Sequence, residues 1–445
     1  MKIRMNCTTL AELLPPHRQV VRRIANRLKT AVVLVAVLAF SPMSARADAV
    51  LDWDAIAVNT VITQSAFAQA RYMAITQLAV FEAVNAITGD YAPYVGTVVA
   101  PPGASADAAA IAAAYRVLKN YFPLAPTLDD SYTASLASIP EGTAKNDGIA
   151  TGEAAAALMI ALRVGDGSSP PAFYMPESSD PSVWQTTPTC SPAGGVNFHW
   201  QNITPFGMFP STSGDETWFD QFMPSPPPAL TSNRYAKDYN EVKRVGSSTS
   251  TARPQDREDV ARFFGASSPT YVFNLAARQL ALAQGKSLSE NARALALLNM
   301  ATNDSLIASF GAKYFYLFWR PETAIRAGTL DGNAKTDPVV DFSPFIATPC
   351  FPSYPSNHAA GSNSAAEIMR RLYGAGGHAI TMANPAVPGI TLHYTTLKQI
   401  TNDIDDARVY SGIHFRFDQV AGGRLGREIA TYIYKHNLRS AHGSD

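Results

Sequence analysis

The sequence predicts an all-α protein. Apolar residues recur at helical spacing in three Ala-rich stretches, at about 65–87, 108–121 and 146–163. The alternation of Val, Ile and Thr that is typical of β-strands is scarce. Further helical patterns follow at about 232–245, 255–264, 270–284 and 289–319. With 445 residues the chain is long enough to bury a large core.

The first 47 residues are typical of a secretory signal peptide. Basic residues up to Lys29 precede the apolar run 31–40, and Ala45-Arg46-Ala47 offers a cleavage site. The run is too short to cross a bilayer core of about 30 Å as a helix. We therefore expect a periplasmic or secreted protein that begins near Asp48 and has no permanent membrane anchor.

The charge of the remaining chain disfavours nucleic acid and anionic membranes as partners. Residues 1–47 carry eight Lys or Arg residues and one Glu, so residues 48–445 carry 28 basic and 35 acidic groups. A net charge of −7 repels polyanions. Because no internal repeat or flexible linker divides it, we expect residues 48–445 to form a single α-helical domain.

Residues 168–228 interrupt the helical pattern. This segment holds 12 of the 31 prolines of the chain. It is not a flexible linker, because its large aromatic residues need burial, namely Trp184, Phe198, Trp200, Phe206, Trp218 and Phe222. We expect an irregular, ordered excursion that packs over the helices and forms one wall of a cleft. His199 lies beside Trp200 and is assigned to packing.

The sequence does not decide whether two of its three cysteines form a disulfide. Cys7 lies in the predicted leader, and Cys190 and Cys350 remain. Export permits a disulfide between these two, but two separate buried thiols are an equal alternative. The cysteine spacing does not suggest a zinc site.

The first cluster of candidate functional residues is Lys313 with Arg320 and Pro321. A spacing of seven residues is two helical turns, which places both cations on nearly the same face of a helix that ends near Arg320. The many neighbouring aromatic residues indicate burial, and buried cations need an anionic partner. The alternative is a solvated pair on an exposed face.

The second cluster is Pro355-Ser356-Asn357-His358. Prolines precede it and a helical pattern follows, so it lies at a helix N-terminus, where free N–H groups favour an anion. Taken alone, this cluster favours a structural interpretation, with Ser356 as an N-cap residue and His358 as a first-turn residue.

The third cluster is Arg408 with His414 and Asp418. A helix from about Leu397 should end near Ser411-Gly412, and another should begin near His414. Since His414 and Asp418 are four residues apart, the carboxylate can orient the imidazole if both lie in one helical turn. The alternative is an ordinary His–Asp pair on the surface.

Together, the three clusters resemble the vanadium-dependent haloperoxidase and type 2 phosphatidic-acid phosphatase superfamily. Its signature is Lys-x6-Arg-Pro, then Pro-Ser-Gly-His, then Ser-Arg-x5-His-x3-Asp. The order and both internal spacings are intact here. Longer runs around Arg320 and His414 resemble the bacterial haloperoxidase-like branch in particular. The resemblance covers about 290–434, and more loosely 50–90.

The resemblance implies a helical bundle with a vanadate or phosphate pocket and a role for each matching residue. Lys313, Arg320 and Arg408 would neutralise the oxyanion, and Ser356 and the Asn357 amide would add hydrogen bonds. His414 would be the vanadium ligand, or the phosphorylated nucleophile of a phosphatase. His358 would be the general acid–base, and Asp418 would orient His414. Phe351 matches an aromatic residue near the presumed halide site of chloride-oxidising relatives.

Two positions depart from the signature. Asn357 replaces the glycine of the second motif, and Ala407 replaces the serine before Arg408. Asn tolerates unusual backbone angles better than most residues, so its amide can still serve, but its bulk changes the space beside the anion.

The resemblance implies three functions. The leading hypothesis is an exported vanadate-dependent haloperoxidase that oxidises halide with hydrogen peroxide to hypohalous acid. The sequence does not decide whether an organic molecule accepts the halogen. Relatives often form homodimers, so a homodimer is expected here as well. The second hypothesis is an exported phosphatase that forms a phosphohistidine at His414, with phosphate as its substrate moiety. The third is a non-catalytic protein that binds phosphate or vanadate, suggested by Asn357.

Overall fold

Helices make up most of the chain and confirm the predicted all-α fold. The computed structural model describes residues 48–209 and 218–443. Within these residues the only sheet is an antiparallel hairpin of β1 (Gly376–Ala383) and β2 (Thr391–Thr396). The predicted signal peptide lies outside the described residues, as does the side chain of Trp218.

The N-terminal part consists of five helices. Their bounds are α1 Ala49–Val61, α2 Ala66–Thr88, α3 Ala106–Tyr121, α4 Leu128–Ala137 and α5 Thr143–Leu162. The first three begin at capping residues, because the side chains of Asp48, Ser65 and Ser105 each accept a backbone N–H three residues on. The sequence patterns located α2, α3 and α5 but missed α1 and the short α4.

The remaining helices form the C-terminal part. Their bounds are α6 Trp218–Gln221, α7 Asn233–Val245, α8 Gln255–Gly265, α9 Pro269–Gln284, α10 Leu288–Tyr316, α11 Pro321–Arg326, α12 Asn357–Tyr373, α13 Leu397–Tyr410 and α14 Arg416–His436. Short 3-10 turns occur at Phe198–Asn202 and Gly328–Leu330. No helix in the described ranges is both long and apolar enough to span a membrane.

Helix α10 is the centre of the packing. Every residue from Asn291 to Tyr314 is buried, so the helix has no solvent face. One of its buried polar residues binds the backbone of the irregular excursion. The Asp304 carboxylate accepts the backbone N–H groups of Phe206, Gly207 and Met208. This contact fixes one end of the irregular excursion to the core.

The excursion is ordered and packs over the turn that follows α10. The backbone N–H of Trp184 donates to Leu317 O at 2.6 Å, and the backbone N–H of Trp319 donates to Ser182 O at 2.7 Å. Among the aromatic residues predicted to need burial, Trp184, Trp200 and Phe206 are buried and Phe198 and Phe222 are half-buried. His199 accepts the Ala172 N–H, which agrees with a packing role.

A disulfide joins Cys190 to Cys350, with 5.3 Å between the Cα atoms. This resolves the open question about the two cysteines. The Val196 N–H also donates to Cys350 O at 2.8 Å, and Thr189 Oγ1 donates to Thr348 O at 3.1 Å. The excursion is therefore bonded to the chain immediately before Phe351, four residues ahead of the second cluster.

Helices α12 and α14 pack unusually closely. A Cβ atom on Gly422 would lie 2.2 Å from Ser356 O, and one on Gly426 would lie 2.0 Å from Ala360 O. Neither position has room for a side chain, so the glycines allow the two backbones to touch. This contact brings the N-terminus of α12 next to the N-terminus of α14.

Candidate active site

The three sequence clusters meet where α10 ends and where α12 and α14 begin. Their side chains are buried except for His358, which is half-buried. The first and third clusters are in direct contact, since Arg320 Nη1 lies 3.0 Å from His414 Nε2. The second and third are joined by the Ser356 N–H, which donates to Asp418 O at 3.0 Å.

The predicted helical placement of Lys313 and Arg320 is wrong. Helix α10 ends at Tyr316 because Leu317 takes a left-handed conformation, with φ 50°. Arg320 is extended, with φ −84° and ψ 155°, and Pro321 is the first residue of α11. A residue before proline avoids the helical region, and proline is well suited to the first helical position. A turn of the chain, not a shared helix face, brings the two cations together.

Lys313 is held by backbone carbonyls. Its Nζ donates to Pro352 O and to Ser353 O, both at 2.8 Å. Burial, followed by the positive charges of Arg320 and Arg408, holds the pKa of Lys313 well below its ordinary value. An anion in the pocket would reverse the effect of those charges.

Arg320 is the most highly coordinated cation of the site. Its Nε donates to Phe351 O at 2.8 Å, and its Nη1 donates to Ile413 O at 2.8 Å and to His414 Nε2 at 3.0 Å. Burial lowers its pKa to about 9. Its Nη2 is buried without a hydrogen-bond partner. One donor of this fork therefore remains for a ligand.

Arg408 lies in the last turn of α13 and also has an unused donor. Its Nε is buried and has no hydrogen-bond partner in the described chain. Burial lowers its pKa to about 10. No carboxylate among the described residues forms an ion pair with Arg408, Lys313 or Arg320. Buried cations without anions are costly, so this arrangement suits an anionic ligand.

His414 and Asp418 form the predicted pair, but not within one helical turn. His414 precedes α14, and Asp418 lies in the first turn of that helix. The His414 Nδ1 lies 2.8 Å from Asp418 Oδ2. Burial, followed by the positive charges of Arg320 and Lys313, holds the pKa of His414 well below its ordinary value. The ring is therefore neutral at pH 7, with one donating and one accepting nitrogen.

A third residue supports this pair and was missed by the sequence analysis. Ser353 Oγ donates to Asp418 Oδ2 at 2.5 Å, and the Phe415 N–H donates to the same oxygen at 3.1 Å. Burial raises the pKa of Asp418 to about 6, and the bond from Ser353 opposes this rise. The only sequence signal for Ser353 was its place in the proline-rich run before Ser356.

Ser356 combines the two interpretations that the sequence left open. It is the N-cap of α12, and its Oγ accepts the Ala359 N–H at 3.3 Å. A hydroxyl that accepts one hydrogen bond still has its own proton to donate. The cap and an anion contact are therefore compatible.

Asn357 is the first residue of α12 and does not use an unusual backbone conformation. It is absent from the residues of the described chain that have a positive φ. Its side chain is 3% exposed, with Nδ2 3.4 Å from His358 Nδ1 and Oδ1 buried without a partner. Burial, followed by the charges of Arg408, Lys313 and Arg320, holds the pKa of His358 well below its ordinary value.

The protein is thus a helical-bundle protein with a buried cluster of positive charge that contains two neutral histidines. Residues 293–443, which include every candidate site residue, match the family described as the VCPO second helical-bundle domain. The family match is therefore confined to the C-terminal part of the chain, which is the part that carries all three motifs of the resemblance.

Solved structures of bacterial proteins share the fold over most of the chain. The first bacterial vanadium-dependent iodoperoxidase has a TM-score of 0.71 and 23% identity, covering 89% of this chain and 97% of that chain. An apo-type bacterial vanadium-dependent chloroperoxidase has a TM-score of 0.67 and 16% identity, and the match covers 84% of this chain and 94% of that chain. A holo-type vanadium-dependent chloroperoxidase has a TM-score of 0.65 and 15% identity, covering 89% and 94%. No curated protein matches the chain by sequence.

Proposed function

We propose that the protein is an exported vanadate-dependent haloperoxidase that uses hydrogen peroxide to oxidise a halide to hypohalous acid. The observation that carries this proposal is the set of unused groups in the pocket. In the described part of the chain, the buried donors Arg320 Nη2 and Arg408 Nε have no hydrogen-bond partner. Beside them is the neutral His414, whose Nε2 lone pair accepts from Arg320 Nη1. Solved structures of similar fold are iodo- and chloroperoxidases that depend on vanadium.

The residues fit vanadate. Lys313, Arg320 and Arg408 would offset its negative charge, and Ser356 and the free N–H groups at the start of α12 would donate hydrogen bonds. Nε2 of His414 is the nitrogen that would bind the vanadium, because Nδ1 carries the proton that is donated to Asp418. The bond from Arg320 to Nε2 would be replaced by the metal. When bound, vanadate supplies the Lewis acidity that activates hydrogen peroxide for a two-electron oxidation.

His358 is assigned the acid–base role. Burial is the main cause that lowers the pKa of His358, and three positive charges add to it. A bound anion offsets those charges and so raises the pKa of His358, which favours proton exchange by this ring. The reaction converts hydrogen peroxide, halide and one proton into hypohalous acid and water. His358 would take a proton from the peroxide and return it to the oxygen that leaves as water.

Export is proposed on two observations. The first 47 residues have the pattern of a secretory signal peptide. The chain also contains the disulfide between Cys190 and Cys350, and disulfides persist mainly in oxidising compartments.

The test is halogenation by the purified apo-protein with and without added orthovanadate. Monochlorodimedone reports bromide and chloride oxidation, and triiodide formation reports iodide oxidation. We expect turnover that requires vanadate, is suppressed by phosphate and is abolished in His414→Ala. The matched control is His393→Ala, which removes an exposed histidine of the hairpin and should leave turnover unchanged.

Two other results would replace this proposal. Hydrolysis of p-nitrophenyl phosphate without halogenation, inhibited by vanadate, would assign a phosphatase with His414 as its nucleophile, because an accepting Nε2 suits that role equally. Tight binding of phosphate or vanadate without either activity would assign a non-catalytic binding protein.

A further inference from the structure

The Asn357 carboxamide stands out among the groups of the pocket because it offers an acceptor. Its Oδ1 is buried and has no hydrogen-bond partner in the described chain, while the whole residue is 3% exposed. Its Nδ2 lies 3.4 Å from His358 Nδ1. The side-chain amide is therefore next to the imidazole whose pKa is lowered by the charges of Arg408, Lys313 and Arg320. A buried carbonyl oxygen without a donor is costly, and beside the three cations a bound anion that carries a proton would supply one.

The groups assigned above to anion binding are donors. Arg320 Nη2 and Arg408 Nε are unused N–H donors. The first backbone N–H groups of α12 also have no partner within the helix, because Ser356 accepts only those of Ala359 and Ala360. Asp418 also has an unpartnered oxygen, but its carboxylate is bonded to His414 Nδ1, the ring nitrogen opposite the one assigned to the anion. Asn357 Oδ1 is thus the acceptor that the N-terminus of α12 itself presents.

We propose that Asn357 is a specificity-determining residue whose Oδ1 accepts a hydrogen bond from an O–H group of the bound anion. The site would then select tetrahedral oxyanions that retain a proton near neutral pH, such as phosphate and vanadate, over sulfate, which retains none. This inference rests on the oxyanion site of the proposed function. It goes beyond that function because it assigns the side chain at the position where the signature has glycine.

The chemistry of the two anions explains the selection. An oxyanion with an O–H group satisfies Asn357 Oδ1 and the surrounding donors together. Sulfate would place an oxygen against Oδ1, so that two acceptors face each other and neither gains a proton. Because the carboxamide is neutral, it makes this distinction without reducing the positive charge of the pocket.

The experiment is calorimetric titration of the metal-free protein with inorganic phosphate and with sulfate at pH 7. We expect the wild type to bind phosphate more tightly than sulfate. In Asn357→Gly and Asn357→Ala, the ratio of the two dissociation constants should fall by about tenfold, as expected for one hydrogen bond to a charged ligand. The loss should be in phosphate affinity, with sulfate affinity unchanged or increased.

Two comparisons make the result decisive. Asn402→Ala, which removes an exposed carboxamide on α13, should keep the wild-type ratio, and unchanged melting temperatures would establish that the Asn357 variants are folded. A ratio unchanged in both Asn357 variants, with phosphate still bound, would overturn the selectivity alone. Failure of the folded wild type to bind either anion would instead overturn the oxyanion site of the proposed function.

Discussion

Arg320 Nη1 lies 3.0 Å from His414 Nε2, and this contact sets the tautomer of the histidine. A guanidinium group only donates hydrogen bonds, so Nε2 must accept and the proton of the neutral ring must lie on Nδ1. Nδ1 then donates to Asp418 Oδ2 at 2.8 Å. The lone pair of Nε2 is therefore held by Arg320, and binding of vanadium at this nitrogen would replace that hydrogen bond.

The first prediction concerns Asp418→Asn. This change removes the negative charge that accepts from His414 Nδ1, and it allows the alternative tautomer with the proton on Nε2. We expect vanadate affinity or kcat to fall about 10–100-fold, as is usual when the partner of a metal-binding histidine is lost. Vanadate titration monitored by halogenation separates the two effects.

The control for this prediction is Asp130→Asn, which neutralises an exposed carboxylate on α4. It should retain both affinity and kcat. Wild-type affinity and wild-type kcat in Asp418→Asn would show that the carboxylate does not orient His414.

The second prediction is that Arg408→Met lowers phosphate affinity without lowering the free energy of unfolding. The cation of Arg408 is buried without an ion pair, so replacing it by an apolar side chain of similar length removes a desolvation cost. We expect Arg408→Met to leave the free energy of unfolding of the metal-free protein unchanged or to raise it by about 1–3 kcal/mol. Phosphate affinity should fall at least about tenfold because a cation of the site is lost.

Urea unfolding with and without phosphate tests this prediction. Phosphate at about 100 times its Kd should stabilise the wild type by about 2.7 kcal/mol and should stabilise Arg408→Met much less. Arg116→Met, on an exposed face of α3, should behave as the wild type. A large loss of stability in metal-free Arg408→Met would mean that the arginine has a structural role.

The sequence predicted the residues of the site better than the way in which they are placed. Motif spacing was sufficient to predict that Lys313, Arg320, Arg408 and His414 belong to one cluster, and in the structure Arg320 contacts His414 directly. Their roles in the chemistry stay a prediction. The spacing did not reveal that Leu317 ends α10, since a left-handed leucine is rare and has no sequence signal.

The groups that the sequence missed are mostly backbone atoms. Lys313 and Arg320 are held by the carbonyls of residues 351–353 and Ile413, and carbonyl positions depend on the fold of the loop and not on residue type. The disulfide was undecided for a similar reason, because 160 residues separate Cys190 from Cys350. The hairpin β1–β2 was missed because Gly376 and Gly377 weaken its strand pattern.

The third prediction is that the disulfide supports the anion site as well as the fold. Cys350 immediately precedes Phe351, whose carbonyl accepts from Arg320 Nε. Removing the crosslink in Cys190→Ser/Cys350→Ser should lower the free energy of unfolding by about 2–5 kcal/mol. It should also weaken phosphate binding, because the loop 351–353 that fixes two cations becomes less constrained.

A reducing agent provides the matched comparison for the disulfide. It should weaken phosphate binding in the wild type and have no further effect on the double variant. Equal phosphate affinity in the oxidised wild type, the reduced wild type and the variant would mean that the excursion holds the loop without the crosslink, through contacts such as Val196 N–H to Cys350 O.

The fourth prediction concerns the close approach of α12 and α14. A Cβ atom on Gly422 would lie 2.2 Å from Ser356 O, so Gly422→Ala must push the two helices apart. We expect a loss of about 1–3 kcal/mol in the free energy of unfolding, as is typical of overpacking. Because the Ser356 N–H donates to Asp418 O across the same contact, phosphate affinity should fall as well.

Val420→Ala is the control for Gly422→Ala, because it changes an exposed side chain two residues away on the same helix. It should preserve both stability and phosphate affinity. If Gly422→Ala lost stability but kept its phosphate affinity, Ser356 and Asp418 would be positioned independently of the helix contact. If it lost neither, the backbones could separate without cost, and the glycine would not be required for the site.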